Sequence, residues 1–310
     1  MKTLLATAGA FALLTTSMTN AADIKPAADA SPLLAPWVGP YGGVPPFDQV
    51  KVVDLKPGLE TGMAQQLAEI DRIANDPAAP TFENTIAAME RAGRTLDRVG
   101  TIYGVYSSTL NDEAVQAVER EMAPKLAAFS DQITQNPKLF ERIARVYETR
   151  ETSGLTPEQQ RLTWVYYTNF VRAGARLDAA GKKRTAEINQ ELAKLFTNFG
   201  QNVLKDENEG VIYLEQESDL AGLPQGVRDG MAQGAEGRGQ KGKWAIANTR
   251  SSVEPFLTYS DDRALREKAW RMFVNRGDNG GATDNNATIA QILQLRAERA
   301  QLLGFPTHAH

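Results

Sequence analysis

The stretch that decides the fold is the last third of the chain. It reads WAIANTRSSVEPFLTYS over 244–260, DDRALREKAWRMFVNRGD over 261–278 and DNNATIAQILQLRAERAQLLGFPTHAH over 284–310. Trp244 to Ala247 and Phe256 to Tyr259 are short apolar runs that read as strands. Ser260 is the expected N-cap of the next helix, with Asp261 and Asp262 in a first turn where negative charge meets the positive end of the helix dipole. Leu265, Ala269, Met272 and Phe273 form its inward face, and Gly277 stops it. Asp284 or Asn285 caps a last helix built on Ile289, Ile292, Leu293, Leu295, Ala300 and Leu303. Gly304 followed by Pro306 ends it.

Upstream, the same periodicity recurs without a repeat of fixed length. A helix is expected after Asp54, with Pro57 in its first turn and Leu59, Met63, Leu67, Ile70 and Ile73 on one face. Thr81 opens the next, whose face runs Ile86, Met89, Leu96, Val99, Tyr103 with Gly93 allowing close packing. A third follows Asp112, and a fourth follows the Asn136-Pro137 break. Thr156-Pro157-Glu158-Gln159 is a capping box. From there the helical pattern runs to about Leu204, with Gly174 and Gly181 as interruptions. At Glu209-Gly210 the period changes to a strand-like Val211–Leu214, followed by a Gly-rich helical segment from Leu223-Pro224. The expected fold is mainly α: a multi-helix array with a small sheet around 211–259. The expected divisions are 1–22, 23–46, 47–205 (helical domain) and 206–310 (sheet plus two helices).

Residues 1–22 have the three parts of a secretory signal: Lys2, an apolar run Leu4–Leu14, and small residues at Ala21-Ala22. Residues 23–46 are rich in Ala, Pro and Gly and read as a linker that ends lying against a surface. Removing the signal leaves 33 basic against 38 acidic residues, because Lys2 is one of the 34 basic ones. This acidic balance argues against nucleic acid as a partner. No later stretch is apolar enough for a membrane span. The chain has no cysteine, so an exported form has no disulfides and relies on its core. The expected location is the periplasm.

Each candidate for chemistry has a plainer reading. Gly237, Gly239 and Gly242 match a G-x-G-x-x-G pattern, and Lys243 adds a G-x-x-x-x-G-K match. A phosphate loop needs a strand before it and a helix after it, whereas the order expected here is helix, loop, strand. The only histidines are His308 and His310, so no H-E-x-x-H zinc helix can be written within these 310 residues. Without cysteine, a nucleophile–histidine pair would have to use those two residues. Asp261-Asp262 and Glu119-Glu121 read as capping and solvated charge, Arg276-Gly277-Asp278 as a loop, and Asn286-Ala287-Thr288 as a chance glycosylation sequon. Trp164, Tyr166, Tyr167 and Phe170 read as interhelical packing before they read as a peptide groove. No catalytic, cofactor-binding or metal-ligating residue is assigned.

Five segments besides the terminal one carry a family resemblance: PFDQVKVVDLKPGLETGM (46–63), PTFENTIAAMERAG (80–93), SSTLNDEAVQAVEREMAPKLAAF (107–129), LTPEQQRLTWVYYTNFVRAGARLD (155–178) and LREKAWRMFVNRGDNG (265–280). With LRAERAQLLGFPTHAH (295–310), they resemble the thimet oligopeptidase and peptidyl-dipeptidase (Dcp) family of zinc metallopeptidases. The resemblance implies a helical body split by a channel and one zinc held by two His and a downstream Glu. It also implies short peptide substrates that lose C-terminal dipeptides. It places the zinc helix beyond the position of His310, so zinc belongs to the complete family enzyme and this chain is expected to bind none. The chain then reads as the N-terminal portion of an exported peptidyl-dipeptidase, from a truncated gene or an incomplete sequence. It is expected to be inactive alone, with the missing C-terminal half as a partner. The alternative is a non-enzymatic periplasmic helical protein that binds peptides or serves as a scaffold.

Overall fold

A computed structural model describes residues 31–310. The expected signal segment and the first part of the linker lie outside the described residues. The fold is mainly α, as the periodicity indicates. Helices α1 (Val52–Ala74), α2 (Ala87–Arg91), α3 (Arg94–Thr109), α4 (Glu113–Thr134), α5 (Pro137–Thr149), α6 (Pro157–Arg172) and α7 (Ala179–Glu209) precede strand β1 (Val211–Leu214). Then come α8 (Gln225–Glu236), β2 (Trp244–Ala247), α9 (Arg250–Tyr259), α10 (Arg263–Val274) and α11 (Asn286–Leu302).

Side-chain caps fix the starts of α4, α5, α6, α7 and α10. Asp112 accepts from the Val115 N–H, Asn136 from Lys138 and Leu139, and Thr156 from Gln159. Helix α1 begins three residues earlier than Asp54 suggests. Lys51 is its N-cap, and the Asp54 carboxylate reaches back to the Lys51 N–H at 2.9 Å. Thr81 opens a π-type turn over Phe82–Ile86 before α2. Gly93 does more than permit close packing: it separates α2 from α3 with a φ of +83°. That left-handed conformation requires glycine, while the Gln66 side chain whose end lies 2.5 Å from a Cβ position could move aside. The long helical pattern from Thr156 breaks at 173–178. Gly181 is no interruption, because it sits in the first turn of α7, where its N–H donates to Asp178 Oδ1 at 2.7 Å.

The apolar faces meet in four clusters. Leu55, Leu59, Met63, Val99, Ile102 and Met122 join α1, α3 and α4. Ile70, Ile86, Leu139, Ile143, Val146 and Phe170 join the end of α1 to α5 and α6. Ile188, Leu192, Leu195 and Ile292 fix α11 on α7. The fourth lies under the sheet, where Ile212, Leu214 and Ile246 meet Leu220, Leu223, Met231, Val253 and Phe256.

The sheet has two antiparallel strands, with Val211 opposite Ala247 and Leu214 opposite Trp244. The third expected strand does not form. Phe256–Tyr259 is the last turn of α9, and Phe256 is fully buried beside Val253. Val253, Phe256 and Leu257 are three and four residues apart and make one helical face against the sheet. The short apolar run alone could not distinguish the two periods. The N-cap of α10 also shifts. Asp262, not Ser260, accepts from the Leu265 N–H at 2.9 Å, while buried Ser260 gives its backbone oxygen to Arg266.

Candidate functional site

The motif-based candidates prove to be structural. The Gly237–Lys243 loop follows the C-terminus of α8 and leads into β2, not into a helix. Lys243 Nζ lies 2.6 Å from Glu215 Oε1 and holds that carboxyl below its usual range. Tyr167 stacks on Tyr147 at 3.9 Å between ring centroids, and Phe140 lies against both Tyr167 and Phe170. The aromatic cluster is therefore interhelical packing, capped by Arg150 over the Tyr147 ring. Tyr166 donates to Glu90, and burial pushes its hydroxyl well above the usual tyrosine value. Glu121 sits between Lys56 and Lys125, at 2.7 and 2.8 Å, and their hydrogen bonds lower its pKa. Among the described residues, no three of His, Cys, Asp and Glu converge as metal ligands.

The Arg-Gly-Asp tripeptide belongs to a loop built on α7. The Asp206 carboxylate accepts from the Gly277 N–H at 2.7 Å, from Asn279 Nδ2 at 2.7 Å and from the Thr283 hydroxyl. Asn285 bridges the same loop to α7 through Asn202 and the Phe199 carbonyl. Asn286 of the sequon donates to Asp278 and Asp284.

Three helices, α4, α7 and α11, bring together a set of polar residues that no motif marks. Asp131 is only 7% exposed; it lies between Phe129 and Ile133 in sequence but on the opposite side of α4, turned toward α7. Its Oδ1 accepts from Asn189 Nδ2 at 2.8 Å, and Asn189 Oδ1 accepts from Arg299 Nη1 at 2.8 Å. Among the described residues Asp131 Oδ2 has no partner, nor has the hydroxyl of Thr185, which is 1% exposed. Burial raises the Asp131 pKa against the opposing pull of Asn189 and Arg299. Burial also lowers that of Arg299, helped by neighbouring Arg296.

These groups line a cavity of about 490 Å³ with Ser130, Thr134, Arg172, Phe305 and the terminal His308 and His310. The histidines are exposed, and the Thr307 hydroxyl lies 2.9 Å from His310 Nδ1. The cavity offers a buried carboxylate, a hydroxyl and two guanidinium groups. That set can bind and orient a charged small molecule. No local sequence pattern marks it, because Asp131, Asn189 and Arg299 come from three separate helices.

Residues 256–310 match the model of peptidase family M3. The chain is 33% identical over 279 residues to the dipeptidyl carboxypeptidase of Escherichia coli (strain K12), covering 90% of this chain and 41% of that protein. It is 28% identical over 270 residues to oligopeptidase A of Haemophilus influenzae, covering 86% of this chain and 39% of that protein. With the chloroplastic and mitochondrial organellar oligopeptidase A of Arabidopsis thaliana the identity is 27% over 274 residues, with 86% and 34% covered. The chain thus spans about two fifths or less of the length of these relatives. The similarity runs through the helical scaffold as well as the M3 segment, so the chain belongs to peptidase family M3, the thimet oligopeptidase and Dcp family.

Proposed function

We propose that this chain is the scaffold portion of an exported zinc metallopeptidase of the peptidyl-dipeptidase type, which releases C-terminal dipeptides from short peptides. The observation that carries the reading is a pair of facts. The chain aligns with a dipeptidyl carboxypeptidase over 90% of its own length but only 41% of that protein's, and its only histidines are His308 and His310. Two imidazoles and a glutamate with H-E-x-x-H spacing are needed to hold zinc and activate water in such an enzyme. On this reading they come from a second, C-terminal portion, and the 310 residues supply one wall of the substrate channel. The outer face of α11 supports such a partner. Leu293 is 59% exposed and Ile289 40%, apolar side chains on α11 suited to being covered. Lys2, the run Leu4–Leu14 and Ala21-Ala22 support export to the periplasm.

The test is complementation. The purified chain is mixed with a separately produced family polypeptide that carries the zinc motif, and dipeptide release is followed with added zinc. Release by the mixture and by neither part supports the reading. Failure of the two parts to associate counts against it. Export is tested by fractionation and mass spectrometry of the N-terminus, and a chain retained whole in the cytoplasm rejects it.

A further inference from the structure

We propose that the cavity between α4, α7 and α11 binds a small zwitterion, an amino acid or short peptide with free termini, whose ammonium group meets Asp131 and whose carboxylate meets the guanidinium side.

The argument starts from atoms that lack partners. Asp131 Oδ2 and Thr185 Oγ1 are buried, carry no hydrogen bond among the described residues, and belong to side chains that line this cavity. A buried carboxylate oxygen without a donor is costly, so its natural complement is a donor that brings positive charge. Oδ1 is already taken by Asn189, which holds the carboxylate in one orientation. The same cavity also carries positive charge. Arg172 has no hydrogen bond or ion pair among the described residues, and Arg299 donates one bond only, to Asn189. Two guanidinium groups disfavour a bare cation, and the carboxylate disfavours a simple anion. A ligand that carries both signs satisfies both ends. About 490 Å³ lies within the range of roughly 300–1,000 Å³ usual for small-molecule sites, which suits an amino acid or dipeptide and excludes a folded partner. The proposal stands apart from the peptidase reading, since no zinc or second polypeptide takes part.

The experiment is isothermal titration of the 310-residue chain, without zinc, using L-alanine, L-alanyl-L-alanine, its N-acetyl form and its C-terminal amide. The expected result is one-to-one binding of alanine or of the dipeptide, weakened at least tenfold when either terminus is blocked. Alanine alone assigns a free amino acid, and the dipeptide alone assigns a peptide. Asp131→Asn should weaken the free-amine probe at least tenfold and leave the N-acetyl probe unchanged. Arg172→Gln, at an exposed position, should do the reverse: weaken the free-carboxylate probe and leave the amide unchanged. Circular dichroism checks that each variant folds, and if Asp131→Asn does not, Arg172→Gln decides. No binding of either zwitterion, equal binding of blocked and free probes, or unchanged binding by the folded variants overturns the proposal.

Discussion

Replacing Asp206 by alanine tests how the M3 segment is held on the helical scaffold. The carboxylate takes three donors from the loop between α10 and α11: the Gly277 N–H, Asn279 Nδ2 and the Thr283 hydroxyl. Gly277 and Thr283 are buried, whereas Asn279 is exposed and finds water when released. Each buried donor left without a partner costs about 1–3 kcal/mol. Two such donors, with some relaxation of the loop, give an expected loss of about 2–4 kcal/mol. Asp206→Asn keeps one acceptor oxygen but turns an amide NH2 toward a donor, so about half that loss is expected. The assay is urea denaturation followed by circular dichroism, with hydrogen exchange at the Gly277 amide as a local readout. A loss within about 0.5 kcal/mol, the range typical of neutral surface changes, together with unchanged exchange at Gly277, would refute the assignment.

Ile188→Ala, fully buried between α7 and α11, should cost about 2–5 kcal/mol in the same denaturation assay. Phe256→Ala should cost about 3–5 kcal/mol, because the ring is the buried centre of the cluster under the sheet; a surface-strand position would cost far less. Gly304→Ala should cost about 1–2 kcal/mol, seen as a lower melting temperature, because Gly304 holds a φ of +79° at the end of α11. Asp131 has a raised pKa in the fold, so the folded state holds that proton more tightly than the unfolded chain. Its contribution is present below the ordinary carboxyl value and is lost as pH rises through the raised one. The stability of Asp131→Asn relative to the parent should therefore increase as pH is raised from 4 to 8, measured by urea denaturation across that range. A flat difference contradicts the burial assignment.

Most of the helical layout was legible because each helix carries its own local signals. Asp112, Asn136 and Thr156 announce helix starts by side-chain chemistry that acts within three residues. At the end of α11, the Phe305 N–H reaches the Ala300 carbonyl and the Gly304 N–H that of Gln301, the pairing that Gly304 and Pro306 foretell. Phe256–Tyr259 differs from the expectation because a short, largely apolar run after a proline suits either period, and only contact with Val253 and the sheet selects the helix. The cavity was hidden for a different reason. Asp131, Asn189 and Arg299 are joined by hydrogen bonds between residues 58 and 110 positions apart, a relation that no local pattern encodes. The loop on Asp206 is similar: the tripeptide Arg276-Gly277-Asp278 was visible, but its anchor on α7 lies 71 residues upstream of Gly277.

On the proposed reading, these 310 residues supply the scaffold of a peptidase whose metal ligands come from a second portion. The most direct measurement is dipeptide release from a short peptide by the purified chain alone, with zinc supplied. The account predicts no release above the rate without protein. Release that a chelator abolishes and added zinc restores would contradict it, and would require metal ligands other than an H-E-x-x-H helix.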